Sequence, residues 1–323
     1  MEKKNVKLLS FLKSYDIEYK TNVEKQSLTG MKSNDILPIV AFPVTLQKFK
    51  ELMLFVTKNN FSYEVVGALT NTYLADGFQR DILVKTTKLK GIHVGTNSIV
   101  VESGYSLTKL SREISSRSVT GYEGLIGIPG TEGGAVINNS GGFNSSMDKV
   151  VKRILVLERG KEYWITSNNM DYSTRNSALK RKNNQTIVLA VELDTSKKRP
   201  QSEIDKELDV FSHFRRQWID GTRKSLGSVF CANSLSELMN RHKVKFTMKR
   251  IISALLRSVV KNPHLNVYLE FFFLGNPAMA KHCDSLNRFC WDKDTTENDF
   301  FKYIQFLQDK AGGKMKLEIQ IKR

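Results

Sequence analysis

Between residues 121 and 143 the chain reads GYEGLIGIPGTEGGAVINNSGGF, and no other stretch narrows so sharply what it can fold into. Glycine stands at 121, 124, 127, 130, 133, 134, 141 and 142. Such a run leaves backbone amides uncovered by side chains, so a diphosphate or a flavin edge can approach closely. It lacks the GK[ST] of a P-loop and the GxGxxG spacing of a dinucleotide-binding turn. On composition alone it reads equally as a set of tight turns joining short strands.

The flanks supply those strands. Upstream, Leu46, Phe49, Leu52, Met53 and Val56 recur at helical spacing, and Tyr63–Val66 follows as a strand ending at Gly67. Ile82–Val84, Ile92–Val94 and Ile99–Val101 are short and β-branched, with Gly and Asn between them. Leu107, Leu110 and Ile114 share a helical face. Downstream, Val150–Leu157, Tyr163–Ile165 and Thr186–Leu193 read as strands, and the polar segment 194–205, with Pro200, as a connection. Helical pattern returns over Leu208–Trp218, Leu235–Met239, Met248–Val260 and Asp299–Leu307. The aromatic run Phe271–Phe273 reads as core strand, and Lys314–Ile321 as a terminal strand after Gly312–Gly313. The mixture lacks regular βαβ spacing and predicts an α+β chain.

Bulk numbers bound the function. Hydrophobic residues are 40% and charged residues 26% of 323, the balance of a soluble globular protein. Apolar runs such as Ile251–Leu256 fall far short of the ~20 residues of a bilayer span, and Met1–Lys20 lacks the apolar core of a signal peptide. Cys231, Cys283 and Cys290 form no CxxC pair, which fits a reducing, cytoplasmic setting without disulfides. His282-Cys283 with Cys290 lacks zinc-site spacing, so no metal is expected. The formal charge of +17 attracts polyanions, and is equally the basic surface of a Lys- and Asn-rich composition. Lys243–Arg250, basic with Phe246 interleaved, is too faint a pattern to assign a nucleic-acid partner.

Residue order then says more than composition. Gly127-Ile128-Pro129-Gly130-Thr131-x-Gly133-Gly134-Ala135, with Asn139 beyond and Gly121-x-Glu123-Gly124-Leu125 before it, resembles the signature of the UDP-N-acetylenolpyruvoylglucosamine reductases. Gly67-Ala68-Leu69-Thr70-Asn71 is similar to that family's first flavin loop, GGGSN, with Gly67 and Asn71 kept and two glycines replaced. The family's upstream Val-Gly-Gly falls near Ser33-Asn34-Asp35. Thr174-Arg175-Asn176-Ser177 resembles its Tyr-Arg-x-Ser, Gly227-Ser228-Val229-Phe230 its Gly-Ser-x-Phe, and Leu317-Glu318-Ile319 its closing Pro-Glu-Val. The spacing from Ser177 to Ser228 matches the shorter subtype. Past Ser228 the chain departs, with Cys231-Ala232-Asn233 where the family has Lys-Asn-Pro.

The resemblance implies a vanillyl-alcohol-oxidase (PCMH) type of FAD-binding fold with a C-terminal α+β substrate domain. The expected bounds are 1–205 for the flavin region, split near 84/85, and 206–323 for the substrate domain. It implies FAD held by residues 67–71, 127–131, 133–135 and Asn139, and NADPH as reductant. It also implies a UDP-sugar substrate, which is UDP-N-acetylglucosamine enolpyruvate reduced to UDP-N-acetylmuramate for peptidoglycan. Arg175, Ser228 and Glu318 take the catalytic positions, with Arg175 and Asn233 as substrate contacts, in a monomer; from their place on a helix before the Ser228 loop, Arg215 and Arg216 are further substrate contacts that can meet a diphosphate, or else part of a solvated helix face. A guanidinium suits charge building on the substrate carboxylate, a carboxyl group can donate to the same enolate, and a tightly placed serine can protonate the α-carbon. Taken singly, Ser228 reads equally as a turn or cap residue, Arg175 as one more surface base beside Lys180–Lys182, and Glu318 as a solvated partner of Lys316 or Lys322. Two other functions stay open at this point: a related flavoprotein acting on another nucleotide sugar in surface-polysaccharide synthesis, and a degenerate binding relative.

Overall fold

Phe49, Leu52, Met53 and Val56 form the buried face of helix Leu46–Lys58 in the computed structural model, and the Thr45 hydroxyl caps it by accepting the Lys48 N–H at 3.2 Å. The structure describes residues 2–182, 186–218, 223–256, 264–313 and 315–323. They fall into two units, each drawn from separate stretches of chain. The first takes residues up to 24, 36–69 and 79–218, and the second takes 25–35, 70–78 and the remainder from 219. A single cut at 205/206 therefore differs from the observed grouping in two ways. Helix Gln201–Trp218 starts directly after Pro200 and groups with the first unit, and two short early segments group with the second. Both differences rest on long-range contacts, which local patterning does not carry.

Two larger sheets lie in the first unit. One has four strands in the order Glu18–Glu24, Ile36–Phe42, Ile82–Lys85, Tyr63–Val66, the first pair antiparallel and the other two parallel. Helix Leu46–Lys58 packs on it over Ile39, Ala41, Ile82 and Val84. The other sheet has five antiparallel strands in the order Lys161–Thr166, Val151–Glu158, Thr186–Asp194, Ser98–Glu102, Ile92–Val94. Its central strand, Thr186–Asp194, is buried along nearly its whole length, as its continuous Ile-Val-Leu-Ala-Val run requires. Helix Leu107–Ser115 covers it with Leu107, Leu110 and Ile114, the face expected from spacing. The glycine-rich stretch is a chain of short pieces: a 3₁₀ turn Glu123–Leu125, helix Glu132–Ile137, the tiny hairpin Gly141–Gly142/Ser145–Ser146, and helix Met147–Val150.

In the second unit, helices Ala232–Arg241, Lys243–Leu256, Leu265–Leu274 and Glu297–Ala311 surround a core of Phe230, Phe271, Phe289, Phe300 and Tyr303. Three short strands, Lys224–Ser225, Arg288–Trp291 and Cys283–Ser285, form one sheet, and Gln320–Lys322 pairs in parallel with Thr72–Leu74. Two expectations are corrected here. Phe271–Phe273 lies in a helix closed by Gly275 at φ +94°, because an unbroken apolar run does not distinguish buried strand from buried helix. The terminal strand is only Gln320–Lys322, preceded by an isolated bridge from Leu317 to Phe230. The helix expected over Met248–Val260 starts earlier, at Lys243, and residues 257–260 lie outside the described residues. The three cysteines are buried and form no disulfide with one another.

Candidate active site

In the first unit the carboxyl ends of three strands meet the glycine-rich stretch. Strand Tyr63–Val66 ends at Gly67, where a Cβ would lie 2.3 Å from Thr131 Oγ1. The first turn and the second motif are therefore in contact, and only glycine fits between them. After Ser98–Glu102 the chain passes so close to the end of Ile82–Lys85 that a Cβ on Gly104 would stand 1.8 Å from the Thr86 carbonyl oxygen. The N–H groups of Glu132 and Gly133 donate to the carbonyls of Tyr105 and Ser103, each at 2.9 Å, and this pins the motif to that strand end. Ala68 and Leu69 stand where the family has glycine, yet Leu69 keeps a left-handed φ of +59° with its side chain buried. A leucine in this left-handed conformation carries a local strain of about 1 kcal/mol, which burial of its side chain offsets. Thr70 and Asn71 group with the second unit.

Arg175 projects from a residue at φ +54° and donates to the carbonyls of Gly141 at 2.7 Å and Asn139 at 3.3 Å. Its own carbonyl accepts the Lys180 ammonium at 3.0 Å, and the neighbouring Ser177 hydroxyl, fully buried, donates to Ile137 O at 2.7 Å. Arg175 is thus fastened to the glycine-rich stretch rather than spread on a basic surface. Asn139 ties the same region together, donating to Ser173 O and accepting from the Asp148 N–H.

Arg215 reaches the same stretch from helix Gln201–Trp218. It donates to Gly124 O at 2.9 Å, lies against Gly127 and Gly142, and holds its guanidinium 5.2 Å from the Phe143 ring. Phe143 is itself stacked on Phe211 at 4.2 Å. Burial, and then the charge of Arg175, lower the Arg215 pKa. Two guanidinium groups therefore share one locality, and the Arg215 Nε has no acceptor. Arg216, the next residue, is exposed.

Three further groups escaped sequence reasoning. Lys85, at the end of its strand and opposite Val66, is 9% exposed, makes no hydrogen bond or ion pair, and has its pKa lowered by burial. The Ser103 hydroxyl is buried and unpartnered. Glu132, the variable residue of the motif, is fully buried with neither oxygen bonded, and burial pushes its pKa up to about 8. Nothing in the sequence marks Lys85 or Ser103. An acid inside a glycine motif was a visible signal for Glu132. Unspent donors on Lys85, Ser103 and Arg215 around a bare-backbone stretch are what an anionic diphosphate cofactor requires, so the residues present fit FAD.

The second unit brings two other expected residues together. Ser228 follows Gly227, which has φ +75°, and stands exposed. The next residue, Val229, accepts the Glu318 N–H at 2.8 Å, and Cys231 donates to Lys316 O at 2.9 Å. Asn287 clamps the loop, donating to Phe230 O and accepting the Phe230 N–H, each at 2.8 Å. Asn71 donates to Glu318 O at 3.3 Å and accepts the Gln320 N–H at 3.0 Å. Residues 90 apart in sequence, Ser228 and Glu318, thereby occupy adjoining backbone. Glu318 is half-buried, while Asn233 is exposed on helix Ala232–Arg241.

Comparison with known proteins agrees with this geometry. The profile of the FAD binding domain matches residues 37–165, and the chain is an FAD-dependent oxidoreductase. UDP-N-acetylenolpyruvoylglucosamine reductase of Anoxybacillus flavithermus is 31% identical over 213 residues, 65% of this chain and 70% of the relative. The enzymes of the same name from Lactiplantibacillus plantarum and Bacillus subtilis are 29% and 28% identical, over 66% and 62% of this chain and 70% and 67% of their own. The crystal structure of the Thermus caldophilus reductase superposes with a TM-score of 0.64 at 19% identity, covering 95% of this chain and 99% of that one, which shows the shared fold. The chain belongs to the UDP-N-acetylenolpyruvoylglucosamine reductase family.

Proposed function

We propose that Arg175, Ser228 and Glu318 carry the reaction of this family in this chain: reduction of UDP-N-acetylglucosamine enolpyruvate to UDP-N-acetylmuramate, driven by NADPH, for peptidoglycan precursors. The observation that carries the assignment is the 2.8 Å bond from the Glu318 N–H to Val229 O, which ties the strand bearing the acid to the loop bearing the serine. In this reading the backbone of residues 67–71, 127–131 and 133–135, with Asn139, holds the cofactor, and Lys85 and Arg215 offer charge to its phosphates. FAD bound there would supply the hydride chemistry, with NADPH as its reductant. Arg175 holds the substrate carboxylate, where charge grows as the ether is reduced, so its interaction strengthens toward the transition state. The Glu318 carboxyl donates to the same developing enolate. The Ser228 hydroxyl delivers a proton to the α-carbon and regains it from solvent.

A UDP-sugar is the substrate class, and the basic balance of the chain suits it, NADPH and FAD alike. Arg216 and Asn233, both exposed, are assigned as further substrate contacts. Among the described residues no helix is long and apolar enough to cross a membrane. The reading places the enzyme in the cytoplasm as a monomer, which sedimentation velocity on the flavin-loaded protein tests directly. The decisive assay follows NADPH oxidation with the enolpyruvyl UDP-sugar. Turnover that disappears in Ser228→Ala, with flavin bound and still reduced by NADPH, supports the assignment. Unchanged turnover removes Ser228 from the mechanism, and turnover only of a different nucleotide sugar moves the chain to surface-polysaccharide synthesis.

A further inference from the structure

We propose that helix Lys243–Leu256 of the second unit docks on an anionic lipid surface. Its sequence, KVKFTMKRIISALL, carries two apolar faces. Phe246 and Ser253 point into the unit and are buried. At about 100° per residue, Val244, Met248, Ile251 and Leu255 fall within roughly 60° of one another on the opposite side. Their exposures are 73, 48, 56 and 69%. Single exposed apolar residues are ordinary, but four in register along one helix form a continuous stripe. Helix Leu265–Leu274 lies alongside, joined by the Lys249–Glu270 ion pair at 3.0 Å and by Ser253 with Asn266. It exposes Tyr268 and Phe272 at 46 and 52%.

Charge selects the occupant. The helix contains no acidic residue; exposed Lys243 and Lys245 flank the stripe on its two sides, exposed Arg250 stands farther round the helix, and exposed Arg241 lies just before it. Two copies of this helix facing each other would bring lysine against lysine, so self-pairing is opposed by the same residues that border the stripe. A neutral apolar partner would leave those charges unused. An anionic bilayer surface takes both features at once: the stripe sinks to the acyl boundary, and the Lys and Arg stems extend their charges to the headgroups. The fourteen described residues of the helix are too few to span, and the docking has the helix lie in the interface.

The test is flotation of the full flavin-loaded chain with vesicles of phosphatidylcholine containing about 30% phosphatidylglycerol, against phosphatidylcholine alone. The wild-type chain is expected to float with the anionic vesicles only. Met248→Gln/Ile251→Gln, and separately Lys243→Gln/Lys245→Gln/Arg250→Gln, are each expected to lower partitioning about tenfold, with flavin absorbance and thermal midpoint unchanged. Failure of the wild type to float, or equal partitioning of the stripe variant, overturns the proposal. A concentration-dependent dimer that Ile251→Gln abolishes, with no flotation, overturns it in favour of a second copy of the chain.

Discussion

The two units assemble their candidate functional residues by opposite routes. In the first, the glycine-rich stretch, Asn139 and Arg175 lie within 55 residues of one another, and each is fastened to its neighbours by short backbone contacts. In the second, Ser228 and Glu318 meet only because a C-terminal strand folds back to Val229 and Asn71. A site built locally leaves an ordered motif in the sequence. A site built from distant strands leaves isolated residues, and only their order along the chain hints at a relation. The contrast also explains where this chain has diverged. The first unit carries Leu69 where the family has glycine, in a turn whose Gly67 abuts Thr131, while the second carries Cys231-Ala232-Asn233 where the family has Lys-Asn-Pro.

The largest expected effect lies in the second unit. Ser228→Ala should lower turnover by roughly a hundredfold or more, with the absorbance of bound flavin and its reduction by NADPH retained. If flavin binding fell as well, the separation of roles between the units would break. In the first unit, Gly104→Ala forces a Cβ onto the Thr86 carbonyl. It should cost about 2–4 kcal/mol and release flavin, measured as a lowered thermal midpoint and a colourless eluate.

A pH series sharpens the comparison further. The Glu132 pKa is raised from 4.5 to about 8, so burial penalises the ionised carboxylate far more than the protonated group. The Glu132 contribution to stability is full below about pH 4.5, falls as pH rises through the window, and levels off above about 8. Between pH 6 and 8 the loss should approach about 2–3 kcal/mol, read by urea denaturation. Glu132→Gln should flatten that slope. A wild-type curve that is flat or rising would show the carboxylate finding a partner when ionised. The smallest effect is expected from Thr296→Ala, which removes the capping box with Asp299 from helix Glu297–Ala311. It should cost about 1 kcal/mol in the second unit and leave flavin content unchanged.

Legibility followed the same division. The nine-residue order Gly127–Ala135 was enough to assign the family, and periodicity was enough to place helix Leu46–Lys58 and the short strands around it. Arg215 was named as a possible phosphate contact from its position on a helix, and the structure puts it on the glycine-rich stretch, whereas Arg216 beside it is exposed. Lys85 was invisible because a lysine at a strand end is normally solvated, and only the register opposite Val66 buries it. Glu132 passed as a variable position, although a carboxylate among glycines on a core-facing helix has no water to ionise in.

By itself, then, the amino-acid order determined the α+β class, the flavin motif and the identities of Arg175, Ser228 and Glu318 as residues of interest. Those properties are local, since they depend on spacing along one stretch of backbone. Tertiary structure alone decided that residues 25–35 and 70–78 join the C-terminal unit, that Phe271–Phe273 is helical, that Lys85 and Glu132 are buried without partners, and that Glu318 lies beside the Ser228 loop. Each of these depends on contacts between residues far apart in the chain, whose energies outweigh local preference and leave no periodic trace in the sequence.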